Sequence, residues 1–154
     1  MERTLVILKP DTVNRALVGK ITRRFEEKGL KIVAMKMMHL NPETLHLHYA
    51  HHKGKPFFGG LVKFMSSIPS VVMVLEGKDS VEVVRKMVGA TNGREAMPGT
   101  IRGDLSLSAQ SNLVHASATT DEAEKEIEMF FANEEVMGYE KMNFDIIYSD
   151  DEKV

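Results

Sequence analysis

Arg3-Thr-Leu-Val-Ile-Leu-Lys9, followed at once by Pro10 and Asp11, is a continuous apolar run rich in β-branched residues and stopped by proline. Such a run reads as a strand covered on both faces, since a strand with one wet face would alternate. Asp11 is placed to cap a following helix in which Val13, Leu17, Ile21 and Phe25 recur every four residues, and Gly29 supplies the stop. A buried strand followed by an amphipathic helix is half of a layered α/β unit.

Downstream, Leu30–Leu40 alternates imperfectly and reads as a second strand. Asn41-Pro42-Glu43 is a helix start with a capping amide, proline in the first turn and an early acid. Lys53-Gly54-Lys55-Pro56 breaks that helix, and Phe57–Ser67 forms another turn or two. Ser70–Glu76 is the clearest third strand, and Asp79 or Ser80 caps a helix with apolar Val81, Val84, Met87 and Val88. Thr91–Ser111 has no periodicity strong enough for an element, and loops of that length are functional more often than idle. Asn112–Ser117 is a short fourth strand and Thr120–Phe131 the last helix. The order contains a βαββαβ frame, so the expected fold is α+β, a ferredoxin-like sandwich with helices packed on a four-stranded antiparallel sheet. No repeat or linker divides it: residues 1–154 form a single domain, with a polar, frayed tail at 149–154.

Composition narrows the function. The 154 residues carry 20 basic and 22 acidic side chains, a formal net charge of −2, which offers no general basic footprint for a nucleic-acid backbone. Anionic ligands must therefore be met by a local cation cluster, and small anions suit that better than polyanions. There is no cysteine, hence no disulfide or thiolate metal site. The Leu5–Leu8 run is too short for a signal-peptide core and no stretch approaches a membrane span, so cytoplasm is the expected compartment.

Chemistry concentrates in Gly99–Ser117. Arg102 lies between Gly99 and Gly103, and arginine is a fork-shaped donor to phosphate oxygens. Asn112 adds an amide, Ser117 a short hydroxyl, and His115 a candidate nucleophile: a free imidazole is roughly three-quarters neutral at pH 7 and attacks phosphorus without a separate base. By spacing alone His115 reads first as a satisfied histidine in a half-buried strand. A nucleophile would need a partner that orients the ring and offsets its charge. On the last helix Glu126 falls beside the Ala123–Ile127–Phe130 stripe and is the acid best placed to reach inward. At strand spacing Asn112 and His115 point to opposite faces, so the chain must bend between them if both serve one pocket. Lys9 is a ligand or a snorkelling rim lysine, Arg85 and Lys86 lie off their apolar stripe, and Phe57 and Phe58 read as core. His46, His48, His51 and His52 read as a polar helix face. His48 and His52 have the i,i+4 spacing of a zinc pair, but no catalytic glutamate or thiolate accompanies them, so no protein-held metal is expected.

The segment Asn112-Leu-Val-His115-Ala-Ser117, preceded by Pro98-Gly-Thr-Ile-Arg-Gly-Asp104, resembles the signature of the nucleoside diphosphate kinases. Glu2–Asp11, His48-Tyr49, Lys55-Pro56-Phe57-Phe58 and Ala123-Glu-Lys-Glu-Ile127 are similar to theirs as well. The resemblance implies transfer of a γ-phosphate from a nucleoside triphosphate to a nucleoside diphosphate, with Mg²⁺ held through the nucleotide phosphates, by a ping-pong route through a phosphohistidine. It implies His115 as nucleophile with Glu126 and Ser117 orienting it. Lys9, Tyr49, Arg85, Thr91, Arg102 and Asn112 match positions around phosphates, ribose and histidine; Phe57 matches the base-stacking aromatic, and His52 a position near the phosphates. Stacking with few edge contacts implies tolerance of purines and pyrimidines. Ala118 stands where aspartate is common, Ala116 where glycine is, and Ala109 replaces a larger apolar residue opposite Phe57, which implies a looser base clamp. The family assembles as tetramers or hexamers, and a chain running past Ile146-Ile147-Tyr148 resembles the longer members, favouring a homo-hexamer. The competing readings are a nucleotide-binding module without turnover and, less compatible with the charge, a DNA-binding domain.

Overall fold

A computed structural model of the chain describes residues 1–153. In chain order the regular elements are β1 (Glu2–Leu8), α1 (Pro10–Asn14), α2 (Val18–Glu27), β2 (Lys31–Met38), α3 (Pro42–His48), α4 (Phe58–Met65), β3 (Ser70–Gly77), α5 (Ser80–Val88), α6 (Ile101–Leu105), β4 (Val114–Ala116), α7 (Thr120–Phe130) and α8 (Phe144–Ile147). The strands form one antiparallel sheet in the order β2-β3-β1-β4. This is the four-stranded ferredoxin-like α+β arrangement expected from the order of elements.

β1 is central, and its Leu5–Leu8 run is apolar because both faces of the sheet are covered there. Leu5 and Ile7 join Val72, Val74, Leu45 and Phe130 on one face, beneath α3, α4 and α7. Val6 and Leu8 join Ile21, Phe25, Val84 and Ile101 on the other, beneath α2, α5 and α6. Antiparallel register sets Ile7 opposite His115 and Val6 opposite Ala116, so the candidate nucleophile is fixed by the middle of the core.

Several local expectations are corrected. The helix after Pro10 is two helices, because Ala16 adopts a left-handed φ of 55°. Leu17 N–H donates to Thr12 O at 3.0 Å and Ala16 N–H to Val13 O at 3.1 Å, the paired bonds of a Schellman ending, here without the usual glycine. Asp11 makes no cap bond to α1; it is used elsewhere, as described below. Neither Asp79 nor Ser80 caps α5 through its side chain. The Glu2 carboxylate accepts from Val81 N–H at 2.8 Å instead, and Ser80 Oγ donates to Glu2 O at 3.0 Å, so the N-terminus of β1 caps a distant helix. The Thr91–Ser111 segment contains α6, whose Thr100 Oγ1 accepts from Gly103 N–H at 3.0 Å. β4 is only Val114–Ala116, shorter than Asn112–Ser117. Beyond α7, Met137 N–H donates to Val33 O at 2.7 Å and Tyr139 OH to Ile32 O at 2.7 Å, lashing the C-terminal segment to β2. Asp150–Glu152 makes a 3₁₀ turn; the frayed end expected over 149–154 includes Val154, which lies outside the described residues. Among the described residues no helix is long and apolar enough to cross a membrane.

α6 closes tightly on the loop before it. A Cβ on Gly103 would run into the Met97 carbonyl, whereas one on exposed Gly19 in α2 would meet nothing within 4 Å. Gly103→Ala therefore costs about 1–3 kcal/mol by overpacking. Gly19→Ala is neutral or stabilises by up to about 1 kcal/mol. Thermal denaturation of the two proteins side by side checks this: equal melting temperatures would contradict it.

Candidate active site

The site is built around Leu113. Its φ is 71°, and Val114 N–H donates to Asn112 O at 2.8 Å, closing a three-residue turn of positive φ. This is the bend that lets Asn112 and His115 reach one cleft from opposite strand faces. A leucine in this conformation costs about 1–2 kcal/mol, so its surroundings must impose it. They do so from two sides. Asp11 Oδ2 accepts from Leu113 N–H at 3.1 Å, while Leu113 O accepts from Lys9 N–H at 2.8 Å and from Thr12 Oγ1 at 2.6 Å. Opposite, Arg102 donates from Nε to Asn112 O at 3.1 Å, from Nη2 to Val114 O at 2.5 Å and from Nη1 to Gly89 O at 3.0 Å.

Asn112 is a knot in the same region. Its Oδ1 accepts from Lys9 Nζ at 2.6 Å, and its Nδ2 donates to Thr91 O and Ala109 O at 2.8 Å each. The amide is thus occupied by protein partners and sets the positions of Lys9 and Thr91.

Beyond the turn, β4 carries His115 to α7. Its Nε2 lies 2.9 Å from Glu126 Oε1, and Ser117 Oγ donates to Glu126 Oε2 at 2.6 Å. Ser117 Oγ also accepts from Leu5 N–H at 3.1 Å, which ties the trio to the central strand. Burial alone would raise the Glu126 carboxyl, but the hydrogen bonds from His115 and Ser117 hold it below the usual glutamate range. Glu126 is therefore an anion that accepts from Nε2–H, which in the neutral ring leaves the lone pair on Nδ1. Glu126 was legible from its place beside the stripe.

His48 departs from the polar-face expectation. Its side chain is 1% exposed, and its ring meets that of His115 edge-on at 4.5 Å between centroids. Burial, then the neighbouring His115, pushes its imidazole down to about 3, so it is neutral. The signal was the i, i+3, i+4 set Leu45, His48 and Tyr49, an inward stripe of α3 hidden by the surrounding histidines. His48 and His52 do not form the zinc pair suggested by their spacing: His52 stacks on Tyr49 at 6.0 Å, and His48 faces His115 and Glu126. Burial raises the Tyr49 hydroxyl above its ordinary value, and that hydroxyl has no hydrogen-bond partner among the described residues.

A cleft of about 660 Å³ opens onto these groups and brings together Lys9, Tyr49, His52, Phe57, Arg85, Thr91, Arg102, Asn112, His115 and Glu126. Ser117 lies beneath it, behind Glu126. Phe57 stands at the rim, 47% exposed, with Ala109 also in the cleft wall, whereas Phe58 packs against the core. Burial, then His51 and Lys55, lowers the His52 imidazole. A shallower depression of about 680 Å³ adjoins along Arg85, Gly89 and Ala118; it holds Lys86 but not His115. The cations are concentrated: burial, then Arg102, lowers Lys9 to about 8, and burial, then Arg85, lowers Arg102 to about 10. Mutually repelling cations beside an orphan hydroxyl are complementary to a polyanion such as a di- or triphosphate. Glu122, which spacing set apart from the core face, also lines the cleft and accepts from Ala118 N–H at 3.2 Å.

Comparison with known proteins gives one consistent family. The family model described as nucleoside diphosphate kinase matches residues 2–136. A nucleoside diphosphate kinase of Archaeoglobus fulgidus is 53% identical over 150 residues, covering 97% of this chain and 99% of that protein. One from Thermus thermophilus is 53% identical over 137 residues, covering 89% of this chain and all of that one. Among solved structures, a halophilic nucleoside diphosphate kinase from Halobacterium salinarum in complex with CDP superposes with a TM-score of 0.94 at 45% identity, covering 96% of this chain and 99% of that one.

Lys9 makes the anion affinity of the cleft depend on pH. A bound phosphate favours the ammonium, so affinity is full below pH about 8 and falls as pH rises through that value, by up to about tenfold per unit. Calorimetric titration with a nucleoside diphosphate across that range checks the inflection, and Lys9→Met should remove it while weakening binding throughout.

Proposed function

The chain belongs to the nucleoside diphosphate kinase family, and on that premise we propose that His115 carries the phosphoryl group between two nucleotides that occupy the cleft in turn. The observation that supports this most is the contact of His115 Nε2 with the Glu126 carboxylate at 2.9 Å, in a ring that lines the cation-rich cleft. With its proton on Nε2, the ring attacks the γ-phosphorus through Nδ1. An N–P bond forms, the bond to the β–γ bridging oxygen breaks, and a nucleoside diphosphate leaves. The ring keeps its Nε2 proton and becomes a cation, which Glu126 offsets. A second nucleoside diphosphate reverses the sequence. Lys9, Arg85 and Arg102 supply positive charge for the phosphate oxygens, and Tyr49 supplies its spare hydroxyl; positioning and charge stabilisation are what phosphoryl transfer chiefly requires.

Mg²⁺ fits this cleft as a nucleotide-borne ion. Glu126 is already engaged by His115 and Ser117, leaving Glu122 at the rim, where its bond to Ala118 N–H brings a carboxylate close to the position at which relatives commonly have aspartate. Few protein ligands, with phosphates and waters making up the rest, is the usual condition of Mg²⁺, which supplies charge neutralisation on the phosphates. The base rests against Phe57 at the open end, with Ala109 opposite and Thr91 and His52 nearer the sugar and phosphates. Stacking accepts every base, so the substrates are purine and pyrimidine nucleotides alike. Residues 1–154 act as one domain, in the cytoplasm.

Incubation with γ-labelled ATP should give an acid-labile, alkali-stable phosphoprotein that GDP discharges. A His115→Ala protein that still takes up and passes on the label would overturn the mechanism, and a wild-type protein that binds nucleotide without labelling would favour a binding module. We propose a homo-hexamer: light scattering should give the mass of six chains, and a tetrameric mass would overturn that assembly.

A further inference from the structure

His48 is the buried group that phosphoryl transfer leaves unexplained. Both of its ring nitrogens are buried without a hydrogen-bond partner among the described residues. Two unsatisfied imidazole nitrogens in a dry site are costly unless something else satisfies one of them. What faces them is specific. His48 Nδ1 lies 3.5 Å from Glu126 Oε1 without forming a hydrogen bond, and the same carboxylate oxygen lies 2.9 Å from His115 Nε2. One ligand atom from each of His48, His115 and Glu126 falls within 4.8 Å of the other two.

Two imidazoles and a carboxylate are a three-ligand set used by catalytic zinc, which keeps a fourth position for water. Ligands of a tetrahedral zinc at about 2.0–2.1 Å stand roughly 3.3 Å apart. The two contacts to Glu126 Oε1, at 2.9 and 3.5 Å, bracket that spacing, and the third edge, between the two rings, is at most 4.8 Å, so closing the rings on each other by up to roughly 1.5 Å admits an ion. Hard Mg²⁺ prefers oxygen ligands in octahedral array, whereas imidazole nitrogens suit zinc and its transition-metal neighbours. Entry is through the cleft that His115 and Glu126 line.

We infer that His48, His115 and Glu126 form a binding site for one zinc-class divalent ion, and that occupancy switches the enzyme off. The site differs in partners and in metal from nucleotide-borne Mg²⁺, and its inhibitory consequence rests on the phosphohistidine reading. A neutral imidazole bound through Nε2 must keep its one proton on Nδ1. The ion replaces the hydrogen between Nε2 and Glu126, the proton moves from Nε2 to Nδ1, and no proton is gained or lost by the ring. The nitrogen that should attack phosphorus is then protonated. Zinc holds the nucleophile in the wrong tautomer.

Zinc chloride titrated into chelator-treated full-length protein, without nucleotide, tests the site directly. One ion per chain is expected, with His48→Gln weakening binding by at least about tenfold. Exposed His46→Gln serves as control and should retain it. In the wild type, nitrogen-15 spectra of the ring of His115 should show the proton moving from Nε2 to Nδ1 as zinc is added, which decides the matter even if His48→Gln fails to fold. Zinc-loaded protein should lose labelling by γ-labelled ATP and regain it with chelator. No stoichiometric binding, equal binding by His48→Gln, loss of binding in the control, an unmoved His115 proton, or undiminished labelling of the loaded protein would each overturn the inference. Failure of the zinc-free protein to label would instead overturn the phosphohistidine reading, while the titration and spectra would still report on the ion.

Discussion

The left-handed turn at Leu113 is the constraint on which the rest of the site depends. It is a locally unfavourable conformation for a leucine, held by groups far away in sequence: Lys9, Asp11 and Thr12 just past the first strand, and Arg102 on the α6 helix. Because the turn is imposed and not intrinsic, the two ends of the chain are coupled through it. Lys9 reaches Asn112, Asn112 holds Thr91, and the next residues deliver His115 to the sheet. Groups separated by about a hundred positions thus meet with little freedom to drift, and phosphoryl transfer is sensitive to such misplacement.

Around that turn, polar groups are divided between support and chemistry. Arg102 and Asn112, which spacing presents as ligands, use much of their hydrogen-bonding capacity on the protein's own backbone. Arg85 and the Tyr49 hydroxyl have no such engagement among the described residues, and both line the cleft. The burial that lowers Lys9 and Arg102 indicates cations held close together at a cost. An incoming polyphosphate relieves it, so the folded state is strained where its ligand belongs.

The central strand, the Asn41 cap, the third strand and the α7 helix were legible from sequence because each rests on nearby residues: an apolar run, an N-cap, a four-residue spacing. Glu126 could be singled out because helical geometry alone puts it beside the buried stripe. What could not be read depends on distant partners. Nothing near Asp11 says that its carboxylate serves Leu113, and nothing near Ser80 says that α5 is capped by Glu2. Ala16 ends a helix without glycine, so the spacing ran straight through it. His48 was hidden for the opposite reason: three neighbouring histidines made a buried residue look like part of a wet face. The bend between Asn112 and His115 could be required from strand geometry, but the residue that makes it could not be named.

The strand order carries a consequence for how the molecule comes into being. β1 is the first strand to leave the ribosome, yet its two partners, β3 and β4, follow tens of residues and about a hundred residues later. A strand apolar on both faces must therefore wait, unpaired and prone to sticking, until at least about half of the polypeptide has been made. α7, which bears Glu126, arrives later still. No nascent fragment short of it holds a completed reaction centre, so competence for catalysis is acquired near the end of synthesis and not in stages.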